Sequence, residues 1–191
     1  MIIRKLFKFE GSHIVRNCTS DRCSHSIHGH SYKVELFLTS DRLDNAGMVV
    51  DFGLLGNFKE VVDLFDHTHL LWAKDNDVYK NFIQAMNDRW IILPCNPSAE
   101  LLSSMFFACF ESILEKTEFN NGEGNVVVQS VRVHETDTGY AESDRNDYDR
   151  YLEMYPEEIE VSPSLAKTEI YHKLFRGIKF VNPKVELQVK L

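Results

Sequence analysis

No stretch of this sequence approaches the roughly 20 consecutive apolar residues that a membrane-spanning helix needs, so none is expected. The opening stretch MIIRKLFKFEG is too charged, and its apolar part too short, for a secretory signal; the expected compartment is the cytoplasm. Cysteine is scarce, at four residues: Cys18, Cys23, Cys95 and Cys109. Nothing points to an oxidising compartment, so they read as thiols rather than as a disulfide framework. Positive charge is in deficit, with 21 Lys and Arg against 29 Asp and Glu and a net charge of −8. A general nucleic-acid binder needs a basic face to neutralise phosphates, so that class is excluded. A small anionic substrate needs only a local cluster of cations and stays open. There is no internal repeat and no low-complexity segment.

What is present is an ordinary globular composition, 43% hydrophobic and 26% charged, in 191 residues. That length suits one domain with a sizeable core. Residues 3–13 alternate, placing Ile3, Phe7, Phe9 and His13 on one strand face with Lys5 and Gly11 between them. Residues 28–38 alternate as well, with His28, His30, Tyr32, Val34, Leu36 and Leu38 in one row. The segment 14–27 is a loop between these strands. Asp51 is a suitable N-cap for an amphipathic helix carrying Phe52, Leu55, Phe58, Val62 and Phe65, ending near Asp66 and His67. A second helix begins at NPSAELL, capped by Asn96 or Ser98, with Leu102, Phe106, Cys109 and Ile113 on one side and NNGEG as its stop. Residues 126–136 form a strand in which Val131, Val133 and Glu135 share a face, and a further short strand fits near Tyr140. Residues 142–160 then hold eight acidic and two basic side chains, and the terminal KVELQVKL alternates. The expected organisation is a core over 1–145, in the order β-β-α-α-β, followed by an extension over 146–191. Its terminal alternating stretch adds edge strands or lengthens a subunit contact, and its acidic part is equally readable as a solvated linker.

The stretch CSHSIHGHSY at 23–32 concentrates the chemistry. A His-x-His pair on a strand, with one histidine from a neighbouring strand, supplies the three imidazoles of an open zinc site. His28, His30 and His13 fit that description, and ordinary surface histidines are the plain alternative. His25 with Cys18 and Cys23 is a rival structural site, without the usual short cysteine spacing. Cys23 is a passive loop thiol or, near a cation, a thiolate able to act as base. Asp66 and His67 form a proton relay or simply favourable helix C-terminal chemistry, and His69 reads as incidental. Glu135 and Glu100 are solvated carboxylates, or one of them pairs with the N–H groups of a planar heterocycle.

Taken in order, FEGSH (9–13), C…HGHSYKVEL (23–36), GMVVDFGLL (47–55), DH (66–67), NPSAELL (96–102) and VHETDTGY (133–140) resemble the 6-pyruvoyltetrahydropterin synthase / 6-carboxytetrahydropterin synthase family. The resemblance covers about three quarters of the chain. It implies an α+β tunnelling fold (T-fold): an antiparallel sheet with two helices on one face, assembled into barrels as trimers stacked to hexamers. It implies Zn2+ on His13, His28 and His30, a catalytic Cys23, a catalytic Asp66–His67 pair, and Glu135 anchoring the pterin ring with Ser98 and Glu100 nearby.

The implied activity is a lyase acting on 7,8-dihydroneopterin triphosphate, with Mg2+ on its phosphates. One branch gives 6-carboxy-5,6,7,8-tetrahydropterin, triphosphate and acetaldehyde, and belongs to queuosine and deazapurine synthesis. The other eliminates triphosphate alone and gives 6-pyruvoyltetrahydropterin. Cys23 stands five residues before His28. That is longer than in carboxy-type members and shorter than in the pyruvoyl type, which leans to the carboxy branch and leaves Cys18 as a second candidate thiol. Two other departures are Leu70-Leu71 where the family carries Leu-Asn, and the extension beyond 145. A non-catalytic zinc-stabilised binding module and a zinc hydrolase using Asp66 or Glu135 as base are the rivals. Arg16, Arg22 and Lys33 are the phosphate-binding candidates by proximity in sequence.

Overall fold

The computed structural model describes residues 1–157, 159–176 and 180–181. The terminal alternating stretch 184–191 lies outside the described residues. The elements run β1 (Ile2–His13), α1 (Asp21–His25), β2 (His28–Thr39), α2 (Leu55–Phe65), β3 (Thr68–Trp72), α3 (Asp77–Met86), β4 (Trp90–Leu93), α4 (Ala99–Glu115), β5 (Thr117–Glu118), β6 (Val127–Thr136), β7 (Gly139–Ser143), α5 (Arg145–Met154), β8 (Glu160–Val161), a 3-10 turn (Leu165–Lys167), α6 (Glu169–Arg176) and β9 (Phe180–Val181). Seven strands form one sheet in the order β7-β6-β2-β1-β3-β4-β8, and β5 pairs with β9 separately. The sheet is mainly antiparallel, while β1–β3 and β3–β4 are parallel.

Alternation decides which side of the sheet carries the core. Phe7, Phe9, Tyr32, Val34, Leu36, Leu38, Val131 and Val133 point to one face and are buried. Against them lie the apolar stripes of α2 and α4: Leu55, Phe58, Val62 and Phe65 from one, Leu102, Phe106, Phe110 and Ile113 from the other. Phe9 stacks on Tyr32 with ring centroids 4.6 Å apart, and Phe65 and Phe106 tilt against Phe9. Gly11 makes this stack possible, because a Cβ there would sit 3.0 Å from the Phe9 ring.

The structure corrects the expected element list in four places. The helix after Asp51 begins later: Asp51 accepts from Gly53 N–H at 2.6 Å, and tight turns over 51–57 lead into α2. Phe52 therefore stands outside the helix and is 57% exposed. The loop 14–27 contains the short helix α1. Between the two long helices come β3, α3 and β4, which extend the sheet. In β3, Leu70 joins the main core, and Leu71 packs on the other face with Ile83 of α3 and Trp90 of β4. The departure at Leu71 thus has a physical reason: it seats α3. Finally, the acidic stretch after 142 is not a solvated linker. Asp144 and Asp147 build a capping box, Tyr148 stacks on Phe107 at 5.2 Å, and Tyr151, Leu165, Ile170 and Leu174 enter the main core. The helical layer therefore has α5 and α6 outside the two long helices.

His69, which looked incidental, is buried between β1 and α3. Its ring bonds Ser12 Oγ at 2.7 Å through Nδ1 and the Tyr79 hydroxyl at 2.7 Å through Nε2. Burial pushes its pKa down to about 4; nearby Asp75 opposes the shift and Arg16 adds to it. His69 is neutral when folded and titrates near 6.5 when unfolded. Between those values the unfolded chain binds more protons, so stability falls as pH drops from about 6.5 towards 4, by up to roughly 3 kcal/mol at this site. Denaturant midpoints at about pH 7.5 and 5 should differ less in His69→Gln than in the parent chain. An equal difference would show that His69 carries no part of the acid lability.

Candidate active site

The register of the first hairpin assembles the centre. β1 and β2 pair so that His13 lies opposite His28 and Gly11 opposite His30. All three rings extend the buried row of Phe9, Tyr32 and Val34. Their ring centroids are 4.5, 5.2 and 5.2 Å apart. One nitrogen from each lies within 4.8 Å of the others, and among the described residues no other His, Cys, Asp or Glu group reaches this proximity. Cys18, Cys23 and His25 therefore do not form the rival structural site.

Backbone carbonyls fix the rings. The Nδ1–H of His13 donates to Pro97 C=O at 2.6 Å, and that of His28 to Ser26 C=O at 2.9 Å. His30 donates to the backbone of Glu135 while its Nε2, buried, has no partner, so Nδ1 is the donor there too. A carbonyl on Nδ1 leaves Nε2 as a lone-pair donor, the arrangement seen around metal-bound histidines. Burial, followed by the neighbouring imidazoles, lowers His13 to about 4 against the bond to Pro97, and burial and His28 lower His30. Both shifts favour the neutral ring, the form that a metal ligand must take. His13 is fully buried, whereas His28 and His30 are half-buried. Three imidazoles gathered in this way fit a zinc ion with three protein ligands, the set that leaves a fourth coordination position for water or substrate.

Glu135 closes the row on β6. Its Oε1 is buried without a hydrogen-bond partner and lies 3.9 Å from His13 Nε2. Burial raises its pKa, the charge of Glu100 adds to that, and His28 opposes it. Such a carboxyl wants a donor-bearing partner. Ser98 caps α4, its Oγ facing Leu101 N–H at 3.5 Å, and Glu100 occupies the exposed first turn of that helix. Ser98 follows directly on Pro97, and Glu100 lies three positions after it.

Cys23 lies half-buried in α1, with its carbonyl accepting from Val15 N–H at 2.9 Å. That bond holds the segment beside a residue two positions past His13. Cys18 Sγ faces the carbonyl of Ser20 at 3.4 Å. Of the phosphate candidates, Arg16 is paired with Asp75 and Lys33 with Asp137.

Asp66 and His67 are built as a pair but lie elsewhere. His67 Nδ1–H donates to Asp66 Oδ2 at 2.8 Å, and Asp66 Oδ1 accepts from Glu10 N–H at 2.8 Å. Burial works against the Asp66 charge, but Glu10 N–H, His67 and Arg89 outweigh it and hold the carboxyl below the ordinary range. His67 has a left-handed backbone (φ 55°), and its side chain is 74% exposed. It opens onto a cleft of about 400 Å³ lined also by Glu10, Ser12, His30, Ser31, His69 and Asn87. Glu10 and Ser12 face away from the Phe9–His13 side of β1. One chain therefore brings the three histidines and Glu135 to one side of the sheet, and Asp66–His67 opens on the other, in a cleft that His30 also lines.

No helix among the described residues is long and apolar enough to cross a membrane. A sequence model of the family described as 6-pyruvoyl tetrahydropterin synthase matches residues 2–146. A 6-carboxy-5,6,7,8-tetrahydropterin synthase of Helicobacter pylori (strain J99) is 47% identical over 144 residues, 75% of this chain and 72% of that protein. The enzyme of the same name from Aquifex aeolicus is 31% identical, over 73% of this chain and 95% of its own length. Among solved structures, an uncharacterized protein from Wolinella succinogenes aligns with a TM-score of 0.62 at 21% identity, over 76% of this chain and 98% of that one. A 6-pyruvoyl tetrahydropterin synthase from Plasmodium vivax aligns with a TM-score of 0.55 at 20% identity, over the same shares. The expected α+β fold is thereby met, and this chain is an enzyme of the 6-pyruvoyl tetrahydropterin synthase family.

Proposed function

We propose that this enzyme uses zinc to convert 7,8-dihydroneopterin triphosphate, with uptake of water, to 6-carboxy-5,6,7,8-tetrahydropterin, triphosphate and acetaldehyde, a reaction of queuosine and deazapurine synthesis. The observation that carries the reading is the triad itself. Three Nε2 lone pairs converge beside an unpartnered Glu135 oxygen, because backbone carbonyls occupy the opposite ring nitrogens. The names of the Helicobacter and Aquifex relatives support the carboxy branch, as does the spacing from Cys23 to His28.

His13, His28 and His30 hold the ion. Zinc, when bound, supplies Lewis-acid polarisation of the substrate's side-chain oxygens. Glu135 accepts N–H groups from the guanidine-like edge of the pterin and so fixes the ring, with Ser98 and Glu100 bordering the same pocket. Cys23, as thiolate, removes the proton from the side-chain carbon next to the forming carbonyl. Asp66 and His67 carry protons to and from the side-chain hydroxyls as triphosphate is eliminated and the retro-aldol step releases acetaldehyde. Because His67 opens on the sheet face away from the triad, a homo-oligomer is part of the proposal: it lets the pair of one subunit serve the centre of another. Mg2+ accompanies the triphosphate, and the working compartment is the cytoplasm.

Incubation with 7,8-dihydroneopterin triphosphate should give tripolyphosphate and acetaldehyde in equal amounts, and a chelator should abolish both. Triphosphate without acetaldehyde, with the full side chain retained by mass spectrometry, would assign the pyruvoyl branch. Cys23→Ala should keep its zinc and lose at least about 100-fold in kcat, whereas Cys18→Ala should stay near the parent rate. The reverse pattern would make Cys18 the working thiol. Glu135→Gln should raise KM by roughly 10-fold or more at unchanged zinc content. An unaltered KM there would remove the ring-anchoring role.

A further inference from the structure

We infer that Arg16 is a positioning residue for Cys23, with Asp75 as its anchor. The inference rests on Cys23 being the working thiol. The thiol sits on the loop between β1 and β2, and a connecting segment wanders unless its backbone is tied. A proton acceptor displaced by about 1 Å loses rate by roughly 100-fold, so the ties matter.

Besides the bond from Val15 N–H to Cys23 C=O, the segment is tied to the rest of the fold through the Arg16 side chain and backbone. Arg16 Nη1–H donates to Ser24 C=O at 3.1 Å, the carbonyl immediately after Cys23. Arg16 Nε–H donates to Asp75 Oδ1 at 2.7 Å. Asp75 is itself immobile: its side chain is 3% exposed, and its other oxygen accepts from Trp72 N–H at 3.0 Å. The guanidinium also lies over the Tyr79 ring, 5.1 Å from the centroid, which fixes its plane. The Arg16 backbone is clamped by one amide side chain, since its N–H donates to Asn96 Oδ1 at 3.0 Å and its C=O accepts from Asn96 Nδ2 at 2.6 Å.

The consequence is a fixed distance between two parts of the site. Asn96 precedes Pro97, whose carbonyl orients His13. Arg16 therefore links the segment that carries the thiol to the segment that sets the buried metal histidine. A planar guanidinium can reach a carboxylate and a carbonyl at once; an ammonium is a single point. The anchoring turn and Tyr79 come from the stretch between β3 and β4, which gives that stretch a task in the site.

The test uses the full-length protein in three variants: Arg16→Met, Arg16→Lys and the near-isosteric Asp75→Asn. We expect Arg16→Met to lower kcat by about 100-fold, with KM within about twofold of the parent and zinc content unchanged. Asp75→Asn should move the same way, and Arg16→Lys should recover only part of the loss. Independently of turnover, amide hydrogen exchange over residues 14–24 in the zinc-loaded protein should accelerate in all three while the strand β2 stays protected. Alkylation of Cys23 by iodoacetamide, read by peptide mass, should change as well. Unchanged exchange and alkylation would overturn the inference. So would loss of zinc or a rise in KM parallel to the fall in kcat, since either makes the role merely structural. If Arg16→Met fails to fold, Asp75→Asn decides the matter. If the parent chain does not turn over the pterin, the proposed function fails, while exchange and alkylation still judge the role of Arg16.

Discussion

Three imidazole rings are held by backbone carbonyls at the end of an apolar strand row, and the rest of the site depends on that arrangement. A buried ring nitrogen without a partner is unfavourable, and it persists only where the surrounding structure over-determines it. Here the hairpin register places His13 opposite His28 and His30 opposite Gly11. The turn before α4 supplies the Pro97 carbonyl. The β2–β6 ladder brings Glu135 to the same end of the same face. Burial keeps His13 neutral, so the lone pairs are available for an electrophile. The aromatic stack of Phe9, Tyr32, Phe65 and Phe106 behind them supplies the rigidity that keeps the rings in place.

Much of this was legible in the sequence because a strand has period two. Once residues 28–38 are read as a strand, His28 and His30 must lie with Tyr32 and Val34. The same rule puts Glu135 at the end of the Val131–Val133 row. What stayed hidden has physical reasons. The strands β3 and β4 are short apolar runs in parallel pairs, with no alternation to mark them. α3 points Val78, Phe82 and Met86 outward and packs Tyr79 and Ile83, so its apolar pattern misreports its buried side. In the acidic stretch, net charge masked Tyr148 and Tyr151, whose rings join the core. His69 looked incidental because nothing in a lone histidine announces that Ser12 and Tyr79 will satisfy both of its nitrogens.

The separation of the Asp66–His67 pair from the triad also follows from strand geometry. Glu10 N–H and C=O bond Asp66 and His67, and the neighbouring Ser12 faces the cleft into which His67 opens. Gly11 and His13, one position out of phase, face the helices. Side chains on opposite faces of one sheet point away from each other, although His30 also lines the cleft of His67. A sequence motif that lists both sets of residues in order therefore says nothing about whether they act within one subunit.

The stretch between β3 and β4 bears on how the loop that carries Cys23 is held. Apolar packing is non-directional and tolerates sliding, so it would hold the loop down without fixing where Cys23 stands. Hydrogen bonds to carbonyls and carboxylates are directional and short. The network from Asp75 through Arg16 to Ser24, with Asn96 on the Arg16 backbone, uses that directionality near both ends of the 14–27 loop. The apolar contacts of Leu71, Ile83 and Trp90 seat the anchor, and the polar contacts set the position. Each kind of interaction is used where its physics suits the task, and the register of the hairpin then needs only to present the histidines.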